Sequence, residues 1–203
     1  MSTTSVQPSD VLEFWFPDDP IQADALWWGK SPETDESIRA RFGDARERAK
    51  AGELDAWAEQ PAGRMALIIL LDQMSRNLFR GDAETYAADA KAVALCLDGL
   101  ERGHDQALPF IQRLFFYMPL EHAEDLGQQE RCVELVRALA DAVRADPGIS
   151  EAVVQRYDNF VDFAVRHRDI VARFGRFPHR NAILGRDSTA EEAEFLTQPG
   201  SSF

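Results

Sequence analysis

Apolar residues recur at spacings of three and four along almost the whole chain. In the C-terminal part, Val153, Tyr157, Phe160, Ala164, His167, Val171 and Phe174 follow one another at that interval. The interval places them on one face of a 3.6-residue helix. Leu67, Leu71, Met74 and Leu78 repeat the pattern within LIILLDQMSRNLFRG. Strand signals are weak, because no Asn-Gly or Asp-Gly pair separates two alternating runs. The chain is therefore expected to be all-α, a single domain spanning 1–203. Short connectors make antiparallel helical hairpins the natural packing.

Start and stop residues divide this pattern into elements. Ser9 is a candidate N-cap for a helix through VLEFWF that ends at Pro17. The PDDP stretch reads as turn, followed by a short aromatic turn at Leu26, Trp27 and Trp28. Helices are expected over 32–50, 62–79, 83–102, 109–118, 125–144 and 150–174, with the short piece ELDAWAEQ before Pro61. Ser188 and Glu191 have capping-box spacing and open a last helix that ends near Thr197. Residues 1–8 and 198–203 are expected to be mobile tails.

Charge and composition exclude several function classes. The net charge of -13 opposes nucleic-acid binding, which needs a basic surface, and docking on an anionic membrane. The longest apolar run, MALIILL, is far short of the roughly 20 residues that span a bilayer. The N-terminal MSTTSVQPSD has neither the basic nor the apolar region of a signal peptide, so a soluble cytoplasmic protein is expected. Cys96 and Cys132 lie in apolar helical contexts and read as buried thiols.

Few cofactor or catalytic motifs survive inspection. DALWWGKS ends like a phosphate-binding loop, but Asp24 stands where the first glycine belongs and no strand precedes it. His122 and Asp125 share a helical face at i, i+3, yet no second histidine joins them, so no metal set is expected. Nor is a cofactor. Glu121, Glu124 and Asp125 offer carboxylates for acid–base chemistry, though a solvated acidic turn is the commoner arrangement.

Polar chemistry concentrates in three places. The central helix carries Asp72 and Arg76 four residues apart, with Gln73, Asn77 and Arg80 as a second polar row. In RLFFYMPLEHAED, Pro119 ends or kinks a helix and leaves Tyr117 and His122 near its terminus. The third place is RFGRFPHRN, where Arg173, Arg176, His179, Arg180 and Asn181 crowd the exit of a helix whose seam contains His167. From Arg156 to Arg186 there are seven Arg against three Asp, net +4 on an acidic chain. Some of these cations suit a helix C-terminus. All are Arg rather than Lys, and the planar guanidinium fork matches carboxylate or phosphate. Internal salt bridges to the acidic remainder would use the same fork.

These segments also carry a resemblance. VLEFWF at 11–16, Trp27-Trp28, LDQMSRNLFRG at 71–81, FYMPLEHAED at 116–125 and RFGRFPHRNAILGRDSTAEEAEFL at 173–196 resemble the bacterial family called domain of unknown function 924. The similarity runs over residues 10–196. It implies an all-helical, tetratricopeptide-repeat-like superhelix and no established activity. It places Asp72, Gln73, Arg76, Asn77, Arg80, His122, Arg173, Arg176, His179, Arg180 and Asn181 on matching positions.

The leading expectation is a helical binding module whose Arg/His-lined pocket, Tyr117 included, takes an anionic small molecule or acidic peptide group. The alternatives are a hydrolase or transferase using His122, His167 or His179 as general acid or base, and a purely structural polar core. Oligomeric state, ligand and reaction are not readable from the sequence.

Overall fold

Proline opens the first four helices of the computed structural model, which describes residues 5–202. Helix α1 (Pro8–Trp15), α2 (Pro20–Trp28), α3 (Pro32–Ala51) and α4 (Pro61–Ile68) each have it in the first turn. There its fixed φ suits a helix and its missing N–H costs no hydrogen bond. The chain continues through α5 (Met74–Leu78), α6 (Asp89–Glu101), α7 (Phe110–Glu121), α8 (Leu126–Ala145), α9 (Glu151–Phe174) and α10 (Ala190–Phe195). Among the described residues there is no strand. Gly52 and Gly175 end α3 and α9 in the left-handed region, at φ 90° and 69°. Only glycine adopts that conformation without a Cβ clash.

The described residues form two compact units, one running through Arg80 and resuming over Glu84–Pro119, the other comprising Gly81–Ala83 and the chain from Leu120. The first unit is built on α4. Residues 63–75 are buried without interruption, and around them lie Trp15, Ile38, Phe42, Phe115 and Phe116, each at most 1% exposed. Two arginines are buried here and hold irregular segments in place. Arg64 donates to the carbonyls of Ala58 and Leu95, both at 2.8 Å, and to Asp98 and His104. Arg46 reaches Ser75, Glu47 and Glu84 while its guanidinium lies 4.6 Å over the Phe79 ring.

In the second unit α8 and α9 form an antiparallel hairpin across the turn at Asp146–Ser150. Val133, Val136, Leu139, Ala140 and Val143 bury one face of α8, and Tyr157, Ala164, His167 and Val171 are buried on α9. Beyond α9 the chain turns back, and Phe177 packs against Ile170 and Val171, with Phe174 and Phe195 alongside.

Several boundaries differ from expectation, each for a physical reason. The supposed aromatic turn is the end of α2, which Asp19 caps by accepting from the Ile21 N–H. The helix expected over 83–102 begins as a 3-10 turn (Ala83–Tyr86), and α6 starts only at Asp89. Arg46 draws on the Glu84 carbonyl there, and Thr85 donates its hydroxyl to Phe79, so tertiary partners replace helical bonding. Pro119 lies inside α7, which continues to Glu121. The capping box of α10 is Thr189 with Glu192, one residue later than Ser188 with Glu191.

The expected tails include residues 1–4 and 203, which lie outside the described residues. Pro8 already opens α1. Ser201 is buried and donates to the Leu196 carbonyl.

Candidate functional site

The central helix is not uniform. Between α4 and α5, Ile69–Gln73 form a π-turn, in which the Met74 N–H bonds to the Ile69 carbonyl five residues back. Such turns occur mostly as single-turn bulges inside α-helices, often at functional sites. Arg76 braces this one: its Nη1 donates to the Asp72 carbonyl at 2.6 Å and lies 3.1 Å from Asp72 Oδ1. The same guanidinium reaches Asp89 through two 3.2 Å bonds. Burial opposes the charge on Arg76, and the carboxylates of Asp72 and Asp89 more than offset it, so its pKa is raised. Gln73 donates to Asp72 and to the Met118 sulfur.

The other two members of the polar row meet on Asp35. Asn77 donates to its Oδ1 at 2.8 Å, and Arg80 grips both oxygens at 2.6 and 3.0 Å. Burial alone would raise the Asp35 carboxyl, but Arg80 and Asn77 outweigh it and hold it below its usual range. Tyr117 spends its hydroxyl on Asp105 at 2.7 Å, and burial followed by that bond pushes the phenol upward.

In the second unit the three candidate histidines form one cluster, His167 and His179 against Phe177 and His122 against His167. The His167 ring lies 5.7 Å from Phe177 and 6.3 Å from His122, and His179 lies 5.6 Å from Phe177. The Arg180 guanidinium sits over the same ring at 4.5 Å. His167 is only 5% exposed. Its Nδ1 is 2.9 Å from the Phe163 carbonyl and 3.3 Å from Glu121 Oε1. A carbonyl only accepts, so Nδ1 carries the proton. Burial chiefly, then the charges of His122 and Arg180, push His167 down to about 3; the Phe163 bond acts the other way. His179 falls to about 4, through burial and then Arg180. Both rings are neutral at pH 7, so the Glu121 contact is not an ion pair there.

The neighbouring arginines hold protein carboxylates. Arg176 grips Glu192 at 2.6 and 2.8 Å, and chiefly this bond lowers the Glu192 carboxyl to about 2. Arg173 pairs with Glu191, and Arg186 makes a bidentate pair with Glu124 at 2.6 and 2.8 Å. Glu124 also accepts from the Phe177 N–H. Asn181 donates to Ser188 and accepts from Arg186.

The structure thus gathers His122, His167, His179 and Arg180 in one cluster. It gives Arg76 both Asp72 and Asp89 as counter-ions, and gives Arg80, Arg173 and Arg176 the carboxylates of Asp35, Glu191 and Glu192. Asp35, Asp89, Glu124 and Glu192 were missed as partners. Glu124 is a counter-ion rather than part of a solvated turn. Glu192 had a readable signal, the three-residue spacing from Thr189; Asp35 and Asp89 had none, because their partners are distant in sequence. Among the described residues no three His, Cys, Asp or Glu side chains are placed to hold a metal ion.

Known proteins give this arrangement a family. Residues 11–200 match the model of a family described as bacterial protein of unknown function, DUF924. A solved protein of unknown function from Agrobacterium tumefaciens is 40% identical, with a TM-score of 0.79 over 93% of this chain and 96% of its own. No curated protein matches. With the family model matched over nearly its whole length, the chain belongs to this bacterial family of unknown function.

Proposed function

We propose that the protein is a binding module whose histidine–arginine cluster in the second unit takes the anionic group of a small molecule or the acidic end of a peptide. The observation that carries this reading is the packing of His167, His179 and Arg180 about Phe177, with His122 against the His167 ring. Buried neutral imidazoles supply directional hydrogen bonds, and the nearby cationic charge that lowers His167 and His179 is the charge an anion would complement. Arg76, Arg80, Arg173 and Arg176 serve the fold through their carboxylates, as in the structural-core alternative. The tetratricopeptide-repeat-like arrangement implied by the resemblance suits ligand binding, and the unbridged, buried Cys96 and Cys132 suit a reducing cytoplasm.

Acid–base catalysis is the weaker reading. A general base works best with a pKa near the working pH, and His167 and His179 lie well below it. Inorganic phosphate tests the binding reading. At equal ionic strength it should raise the melting temperature more than chloride does, by linkage. Arg180→Met should lose that increment, while Arg80→Met, which removes the arginine on Asp35 in the first unit, keeps it. An increment equal in all three proteins reflects general exclusion of the salt and sinks the proposal.

A further inference from the structure

The first unit carries an apolar surface that the histidine cluster does not use. Ile21, Ala25 and Trp28 stand at i, i+4 and i+7 on one face of α2, and all three are exposed, Ile21 by 81% and Trp28 by 49%. Beside them lies a groove of about 530 Å³, with Phe14, Pro17, Ala25 and Leu26 on its walls and Glu13 and Glu33 among its polar groups. Ala25 belongs to both, so stripe and groove are continuous. Contiguous exposed apolar surface of this kind marks an interaction site more often than chance.

Charge selects the occupant. Residues 10–36 contain eight Asp or Glu and one Lys, a net -7 of the chain's -13. Part of this is used internally: Asp35 holds Arg80, Asp19 caps α2, and Glu33 accepts from Ser31. Glu13 and Asp18 are exposed and have no ion pair among the described residues. Arg41, the one cation on the groove wall, is laid over Phe14 at 4.6 Å and Phe42 at 5.0 Å. A second copy docking the same face by a two-fold would set Glu13 and Asp18 against their own copies, and an anionic bilayer would be repelled likewise. A basic partner gains from both features.

We propose that the α2 stripe and its groove dock an amphipathic helical segment of another protein, with aliphatic side chains at i, i+3, i+4 spacing and flanking Lys or Arg. Apolar anchors then fill the groove while the cations meet Glu13 and Asp18, a helix-in-groove mode. The proposal is independent of anion binding at the histidine cluster, which lies in the other unit.

A fluorescein-labelled 18-residue Leu–Lys amphipathic peptide and its Leu–Glu counterpart serve as probes, read by anisotropy against the full chain. The Lys peptide should bind and the Glu peptide should not. Ile21→Ser, at a position too exposed to support the fold, should weaken binding about tenfold, the loss of one anchor. Glu13→Lys with Asp18→Lys should weaken it at least as much. Glu130→Lys with Glu134→Lys on α8 changes net charge equally and should have less than about a twofold effect.

Equal weakening by the two charge reversals means unspecific attraction and overturns the proposal. So does failure of the Lys peptide to bind, or equal binding of the Glu peptide. Sedimentation as a dimer that Ile21→Ser dissociates, or binding to phosphatidylserine vesicles that Ile21→Ser abolishes, assigns the face to another occupant and overturns it too.

Discussion

His167 shows how burial decides what a residue can do. It lies on an apolar seam and donates from Nδ1 to the Phe163 carbonyl, and burial pushes its pKa down to about 3. An unfolded histidine titrates near 6.5. Between those values the unfolded chain binds a proton that the folded ring refuses, so stability is complete above about pH 6.5 and declines as pH falls toward 3. His179, lowered to about 4, acts in the same direction, as does His104. Each contributes at most about 1.4 kcal/mol per pH unit. Urea midpoints at about pH 7, 6 and 5 should fall, and His167→Leu should flatten that slope. An unchanged slope in the variant means the ring is not held neutral. If His167 serves the fold alone, the variant keeps the phosphate increment; if it contacts the anion, the increment drops while stability holds.

Elements were readable from sequence wherever the signal was local. Pro32 after Ser31, Gly52 and Gly175 marked real helix ends because caps act within one turn. Helix α2 was missed because apolar residues lie on its exposed face as well as its buried one, so no polar face sets off an amphipathic pattern, although Asp19-Pro20 is a sound cap signal. The π-turn in ILLDQ has no sequence mark; it is stabilised by Arg76 on the Asp72 carbonyl and by burial on all sides.

The contact of α6 with α4 offers a sharp test at this scale. A Cβ added at Gly99 would stand 2.5 Å from Arg64 Cδ and 2.5 Å from Phe116 Cζ, both on buried side chains. Alanine favours helix over glycine by about 1 kcal/mol. Overpacking costs about 1–3 kcal/mol, so Gly99→Ala should lower stability in denaturant titration despite that gain. Arg64→Met removes the guanidinium bonds to the Ala58 and Leu95 carbonyls and should cost about 3 kcal/mol or more. A neutral result for either variant would show that this packing is looser than described.

At the scale of the molecule, an all-helical chain should give far-UV circular dichroism dominated by helix. Cys96 and Cys132 are at most 1% exposed. Neither thiol should react with a thiol reagent in the native protein, and both should react in denaturant. Reducing agent should leave the melting temperature unchanged, because neither forms a disulfide. Rapid native reaction at either thiol would contradict the packing of α6 or α8.

The sequence by itself determined the helical class, most helix ends and the seams they bury, because periodicity and capping are properties of neighbours within a few residues. It also named the polar groups of the candidate site: His122, His167, His179 and Arg180 were all singled out from their own segments. Only the tertiary structure decided how their charges are balanced. Asp35 and Asp89 answer Arg80 and Arg76, while Glu124 and Glu192 answer Arg186 and Arg176. A guanidinium fork fits a bound anion and a protein carboxylate equally well. Which of them it meets depends on what folding brings within 3 Å, and no local spacing encodes that.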